Sequence, residues 1–134
     1  YFALARDIQV ARGLPLPQGD SWADHMAETF VAWHAAEIAG TEPYSHFAGR
    51  VRDVLAHAAR PGVRVCCVTS GGVIAMAFCH ALGLSADRLA QVVLPIGNSS
   101  ITRFRVRDNG TFLSAFNAAP HLDQPERAAA RTWL

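Results

Sequence analysis

The chain contains no lysine, so all twelve of its strongly basic residues are arginines, and its net charge at pH 7 is only +1. Nucleic-acid-binding domains usually carry a pronounced positive balance, and this chain does not. We therefore expect no nucleic-acid partner. The arginines are scattered from Arg6 to Arg131 among abundant alanine, which reads as compositional bias. Only Arg103, Arg105 and Arg107 cluster, and their alternation with Phe104 and Val106 describes the solvated face of a strand.

Long apolar runs are missing as well. No stretch reaches the roughly 18 residues that a bilayer span requires, and no charged-then-apolar leader opens the chain. A cytoplasmic protein with no membrane partner is expected. Cysteine is scarce, with three in 134 residues. Cys66 and Cys67 are adjacent on an expected strand and so point to opposite faces, while Cys79 sits in an apolar helix. They form neither a disulfide framework nor a zinc site, and all three are expected to be reduced core residues. His25, His34, His46, His57 and His80 fall on expected helices at no metal-ligand spacing, so surface or helix-packing roles are assigned to them. Neither a metal nor a cofactor is called for. There is no internal repeat or low-complexity segment. With 51% hydrophobic residues, one domain over residues 1–134 can bury a sizeable core.

What is present is a helix-rich first half and a strand-rich second half. An apolar opening, Tyr1 to Val10, precedes a Gly/Pro-containing loop from Gly13 to Gly19. Trp22, Met26, Phe30, Trp33 and Ile38 have helical spacing, with Asp20 or Ser21 as cap and Gly40 as stop. A second helix is expected from Pro43 to about Arg60, ended by Pro61-Gly62. Residues 63–69 read as a buried central strand. A third helix, about Gly72 to Leu82, stops at Gly83, and Ser85 caps a short helix over 86–91. Strands at about Ser100 to Arg107 and Thr111 to Asn117 flank Asp108-Asn109-Gly110, residues that favour the positive φ angles of a tight hairpin. The tail from Gln124 to Leu134 has a helical Ala/Arg composition. Trp22, Phe30 and Trp33 are expected in the core.

The segment Arg64-Val65-Cys66-Cys67-Val68-Thr69-Ser70-Gly71-Gly72-Val73-Ile74 carries the most chemistry. An apolar run breaks at Ser-Gly-Gly and resumes with helical spacing, so a strand delivers a loop and a helix N-terminus to one point. Unpaired backbone N–H groups and the positive end of the helix dipole converge there, and the glycines admit an anion to the main chain. Ser70 has two readings, a plain helix N-cap or a substrate-contacting hydroxyl.

Taken in order, Phe30-x-x-Trp33, Glu42 five residues before Phe47 with Arg50-Val51 beyond, Val68 to Ile74, Asn98-Ser99-Ser100-Ile101-Thr102, and Phe116-Asn117 with His121-Leu122 resemble the C-terminal half of the histidine phosphatase superfamily, the phosphoglycerate mutase-like proteins. The resemblance covers most of residues 30–122. It implies a three-layer α/β/α sandwich with a mostly parallel mixed sheet and an antiparallel hairpin at one edge. It also implies an active site at the C-terminal ends of the strands. There an Arg-His-Gly histidine takes the phosphoryl group, a second His precedes Gly-Gly, and a Glu near a helix start protonates the leaving group.

Two departures accompany the likeness. No Arg-His-Gly occurs, and the chain is read as an N-terminally incomplete domain whose nucleophile lies upstream. Ser70 stands where the family has the second His, which removes a charge-assisted donor worth on the order of 2 to 4 kcal/mol to a transition state. The resemblance assigns catalytic roles to Glu42 and Ser70 and phosphate binding to Ser70, Gly71 and Gly72. Glu42 has the alternative reading of a helix-end carboxylate. The implied function is a phosphohydrolase, less readily a phosphomutase, acting on a small phosphorylated metabolite. The alternative is a catalytically degenerate member that binds a phosphoester or regulates a partner. A serine hydrolase is disfavoured, because the nucleophile elbow needs Gly where Val68 stands. His121 is given a structural hydrogen-bonding role, and Asn98 is expected to fix its loop through bonds to its own backbone. The apolar surface of Tyr1 to Val10 is read either as a homodimer contact or as the cut edge of a longer domain.

Overall fold

A computed structural model describes residues 1–60 and 62–133, without the side chain of Asp20. The capping role expected of Asp20 and the helix stop at Pro61 fall outside the described residues. Five α-helices precede a hairpin: α1 Phe2–Arg12, α2 Trp22–His34, α3 Tyr44–Ala58, α4 Gly71–Leu82 and α5 Leu89–Val93, then β1 Ile101–Arg107 and β2 Gly110–Ala118. Short 3-10 turns cover Gly19–Ser21, Ala86–Arg88, Pro120–Leu122 and Pro125–Ala130. No described helix is long and apolar enough to cross a membrane.

The helices bury the faces that their apolar spacing defines. Leu4 and Ile8 of α1, Met26, Phe30 and Trp33 of α2, Val51 of α3, Ala75, Met76 and Cys79 of α4, and Leu89, Val92 and Val93 of α5 form one cluster with Ile38 and Ile96. Trp33 lies at its centre of aromatic contacts, edge-on to Tyr44 at 5.1 Å and tilted to Phe47 at 5.6 Å. Trp22, expected in the core, is 41% exposed at the start of α2, with its ring 5.9 Å from that of Tyr1.

α2 ends six residues before the expected stop. Ala36 adopts a left-handed conformation, φ 59°, and the Glu37 N–H closes onto Ala32 O at 3.0 Å, which terminates the helix without glycine. Gly40 has another purpose. Its φ is 62°, a Cβ there would stand 2.7 Å from Leu4 Cδ2, and its N–H donates to Asp7 Oδ2 at 2.9 Å. Close approach to α1, rather than helix termination, explains glycine at this position. α4 stops at Gly83 as expected, φ 64°.

The sheet differs most from expectation. β1 and β2 pair antiparallel, from Arg107 opposite Gly110 to Ile101 opposite Ala118, with irregularities around Arg103. Of the three turn residues, only Gly110 takes a positive φ. The inner face of the hairpin packs on α4, where Phe116 meets Phe78 at 4.6 Å between ring centres. No further strand occurs among the described residues, so the architecture is mixed α/β with a two-stranded antiparallel sheet. The parallel part of the expected three-layer sandwich is absent there.

Residues 63–69, expected as the buried central strand, are an unpaired exposed segment, with Val65 51% and Val68 98% exposed. A strand is a paired state, and an apolar run on both faces needs neighbours on both sides to be buried. None of the described residues supplies that pairing. Cys66 and Cys67 are consequently exposed rather than core, while Cys79 is buried as expected, with its thiol pKa raised by burial.

Candidate functional site

The loop entering α4 leads into a helix N-terminus that no side chain caps. Ser70 is the N-cap residue, in an extended conformation with φ −90° and ψ 161°. The first helical bond runs from Ile74 N to Ser70 O at 3.1 Å. The N–H groups of the first turn therefore lack intrahelical acceptors, and their dipoles add at the same end. Ser70 is exposed and its hydroxyl does not cap, so the plain N-cap reading loses its hydrogen bond.

The two glycines are not explained by the fold. Neither has a positive φ. A Cβ on Gly71 would make ordinary contact with Ile96 and Val93 at 3.6–3.7 Å, and one on Gly72 would meet nothing within 4 Å. Neither backbone strain nor a packing clash demands glycine here. What the bare backbone provides is room beside the N–H groups.

Glu42 is held in the turn before α3. Its carbonyl accepts the Trp33 indole N–H at 2.9 Å. Its carboxylate is ion-paired with both ends of the Arg50 guanidinium, Nε at 3.2 Å and an Nη group closer still. That carboxylate raises the Arg50 pKa. α3 packs on α4 through the Tyr44 hydroxyl, which contacts Met76 Sδ at 3.7 Å, and burial raises the Tyr44 pKa. The start of α3 thus leans on the second turn of α4. No hydrogen bond joins Glu42 to Ser70 among the described residues. Arg50 was quoted in the sequence as part of the family resemblance but given no role; the signal for the pairing was its place two turns into the helix that follows Glu42.

The loop after α5 is organised by a residue other than the expected one. Asn98 does not bond its own backbone: its Nδ2 donates to Thr132 Oγ1 at 2.9 Å, and its N–H to Thr132 O at 2.9 Å. Asn117, at φ 52°, fixes the loop instead. Its Oδ1 accepts Gly97 N–H at 2.8 Å and its Nδ2 donates to Pro95 O. Asparagine tolerates this left-handed conformation better than most residues. His121 Nε2 lies 2.9 Å from Ser99 Oγ, which fits its hydrogen-bonding role. Among the five helical histidines, His25 is buried, with its ring against that of Tyr1. The others are exposed.

No curated protein and no solved structure matches the chain. The family model described as histidine phosphatase superfamily (branch 1) matches residues 10–119. That span takes in the Glu42 turn, the Ser70-Gly71-Gly72 loop and the whole hairpin, and the chain belongs to the histidine phosphatase superfamily.

Proposed function

We propose that this protein is a phosphohydrolase, less readily a phosphomutase, acting on a small phosphorylated metabolite. The observation that carries the reading is the uncapped, exposed start of α4, where Ser70, Gly71 and Gly72 offer a hydroxyl and backbone donors to a phosphoryl group. Family membership supplies the reaction class. The nucleophilic histidine is assigned to a segment upstream of Tyr1, because no Arg-His-Gly occurs in the sequence. The three-layer sandwich belongs to the same proposal: residues 63–69 become its central strand once flanking strands pair with them.

In this scheme the phosphoryl group passes from its ester oxygen to the histidine nitrogen, and the leaving alkoxide takes a proton. Water then attacks phosphorus and releases inorganic phosphate with the histidine regenerated. Ser70 and the α4 amides hold the equatorial oxygens through both steps. Ser70 supplies a dipole where an imidazolium would supply a charge, so turnover is slow. Glu42 is the proton donor of the scheme, released from Arg50 when substrate phosphate competes for that guanidinium.

The second reading, a degenerate phosphoester-binding or regulatory member, is favoured by the Glu42–Arg50 pair, which occupies the carboxylate that the enzyme reading uses as proton donor. The test is rapid-quench labelling of the product of the intact gene with a radioactive phosphoester. The enzyme reading expects an acid-labile phosphoenzyme, a slower burst in Ser70→Ala and a faster one in Ser70→His. Absence of both phosphoenzyme and turnover sinks it.

A further inference from the structure

The outer face of the hairpin carries a feature that the phosphatase reading does not use. Arg103, Arg105 and Arg107 alternate with the inward residues of β1 and are all exposed. Arg105 and Arg107, in the regular part of the ladder, stand about 6.6 Å apart along the strand. No described Asp or Glu lies within ion-pair distance of any of them. Phe112 sits directly across from Arg105 in the register, which puts its ring on the same face, and it is 46% exposed. Arg105, Arg107, Asn109, Phe112, Leu113 and Ser114 line one open hollow of about 410 Å³. Asp108, in the turn, is not among the lining residues.

We propose that this hollow binds a nucleotide, that is, a phosphate ester carrying a planar ring. Arg105 and Arg107 present planar forks that match phosphate oxygens, and an unpaired guanidinium has no internal competitor to displace. Phe112 offers a half-exposed ring on which a base stacks. The Asn109 amide, with a donor and an acceptor, stands at the rim where a base edge or ribose hydroxyl arrives. Charge alone would suit any acidic chain; the exposed ring among the arginines selects the nucleotide. The same chemistry comes from a free nucleotide or from one residue of a single-stranded nucleic acid. The near-neutral chain favours the free nucleotide.

The test is equilibrium titration of the protein with adenosine monophosphate, adenosine, inorganic phosphate, an oligothymidylate and a polyglutamate peptide. Saturable binding of adenosine monophosphate is expected, with adenosine and phosphate each binding on the order of tenfold more weakly because each keeps only half of the contacts. An Arg105→Gln/Arg107→Gln variant should weaken it on the order of tenfold or more, and Phe112→Ala about fivefold. These side chains are exposed, so an unchanged thermal unfolding curve is expected as the control on folding. An oligothymidylate that binds more tightly, with the same losses in the variants, assigns the nucleotide to a nucleic-acid strand. Three results overturn the proposal: no saturable binding of either nucleotide probe, binding that survives both variants, or polyglutamate or phosphate binding as tightly as adenosine monophosphate.

Discussion

Residues 63–69 and the β1–β2 hairpin both have strand sequences, and only the hairpin is a sheet. The hairpin finds its partner two residues away, across Asp108-Asn109, and needs little more than a turn and one apolar face. The Val-Cys-Cys-Val segment is apolar on both faces, the composition of a strand sandwiched between parallel neighbours, and such pairing is long-range. The difference teaches that strand propensity is realised by partners, and that its apolar content measures how much partnering it requires.

The largest effect expected bears on the paired region. Phe116→Ala removes the ring that packs on Phe78 and should cost about 3 kcal/mol in urea unfolding, with loss of amide protection along β1 and β2. Protection that survives in the hairpin would show that it stands without α4.

A smaller effect comes from acid. Burial lowers the pKa of His25, with Glu28 opposing, and its Nε2 is buried with no hydrogen-bond partner among the described residues. Its Nδ1 faces the hydroxyls of Tyr1 and Thr29. The unfolded chain takes up a proton below its ordinary value of about 6.5, which the folded chain resists. The contribution to stability is therefore complete above about pH 6.5 and falls as the pH drops from there toward the folded pKa, levelling off below it. Urea midpoints between pH 5 and pH 8 should show this slope, and His25→Leu should flatten it. If hairpin and helical core unfold together, hairpin amide protection declines along with the core.

The smallest effect should be at Val68→Ser. At 98% exposure, its loss should change stability by no more than about 0.5 kcal/mol. A cost of about 2 kcal/mol in the product of the intact gene would mean that the segment is buried there, as the three-layer proposal requires.

Legibility followed the range of the interaction. Helices α2 to α5, the hairpin and the Ser70-Gly71-Gly72 start of α4 rest on spacing and local turn chemistry and were located from the sequence, although α2 ends six residues early and α1, read only as an apolar opening, was not foreseen. Gly40 was misread because its φ of 62° serves contact with Leu4, thirty-six positions away in sequence. Asn117, to which no role had been given, fixes the loop in place of Asn98 for the same reason: which amide reaches Gly97 N–H depends on β2 folding back beside the loop. The pairing of Glu42 with Arg50 was equally hidden, since two charges eight residues apart meet only when the turn before α3 is placed.

By itself, the sequence determined the helix faces, the hairpin, the family and the glycine-rich entry to α4, because each is written in periods, turns and ordered motifs. Only the tertiary structure decided that residues 63–69 stand unpaired, that Ser70 caps nothing, and that three arginines share a face with an exposed phenylalanine. Those outcomes depend on which backbone groups and side chains find partners distant in the chain, and one-dimensional spacing does not encode that.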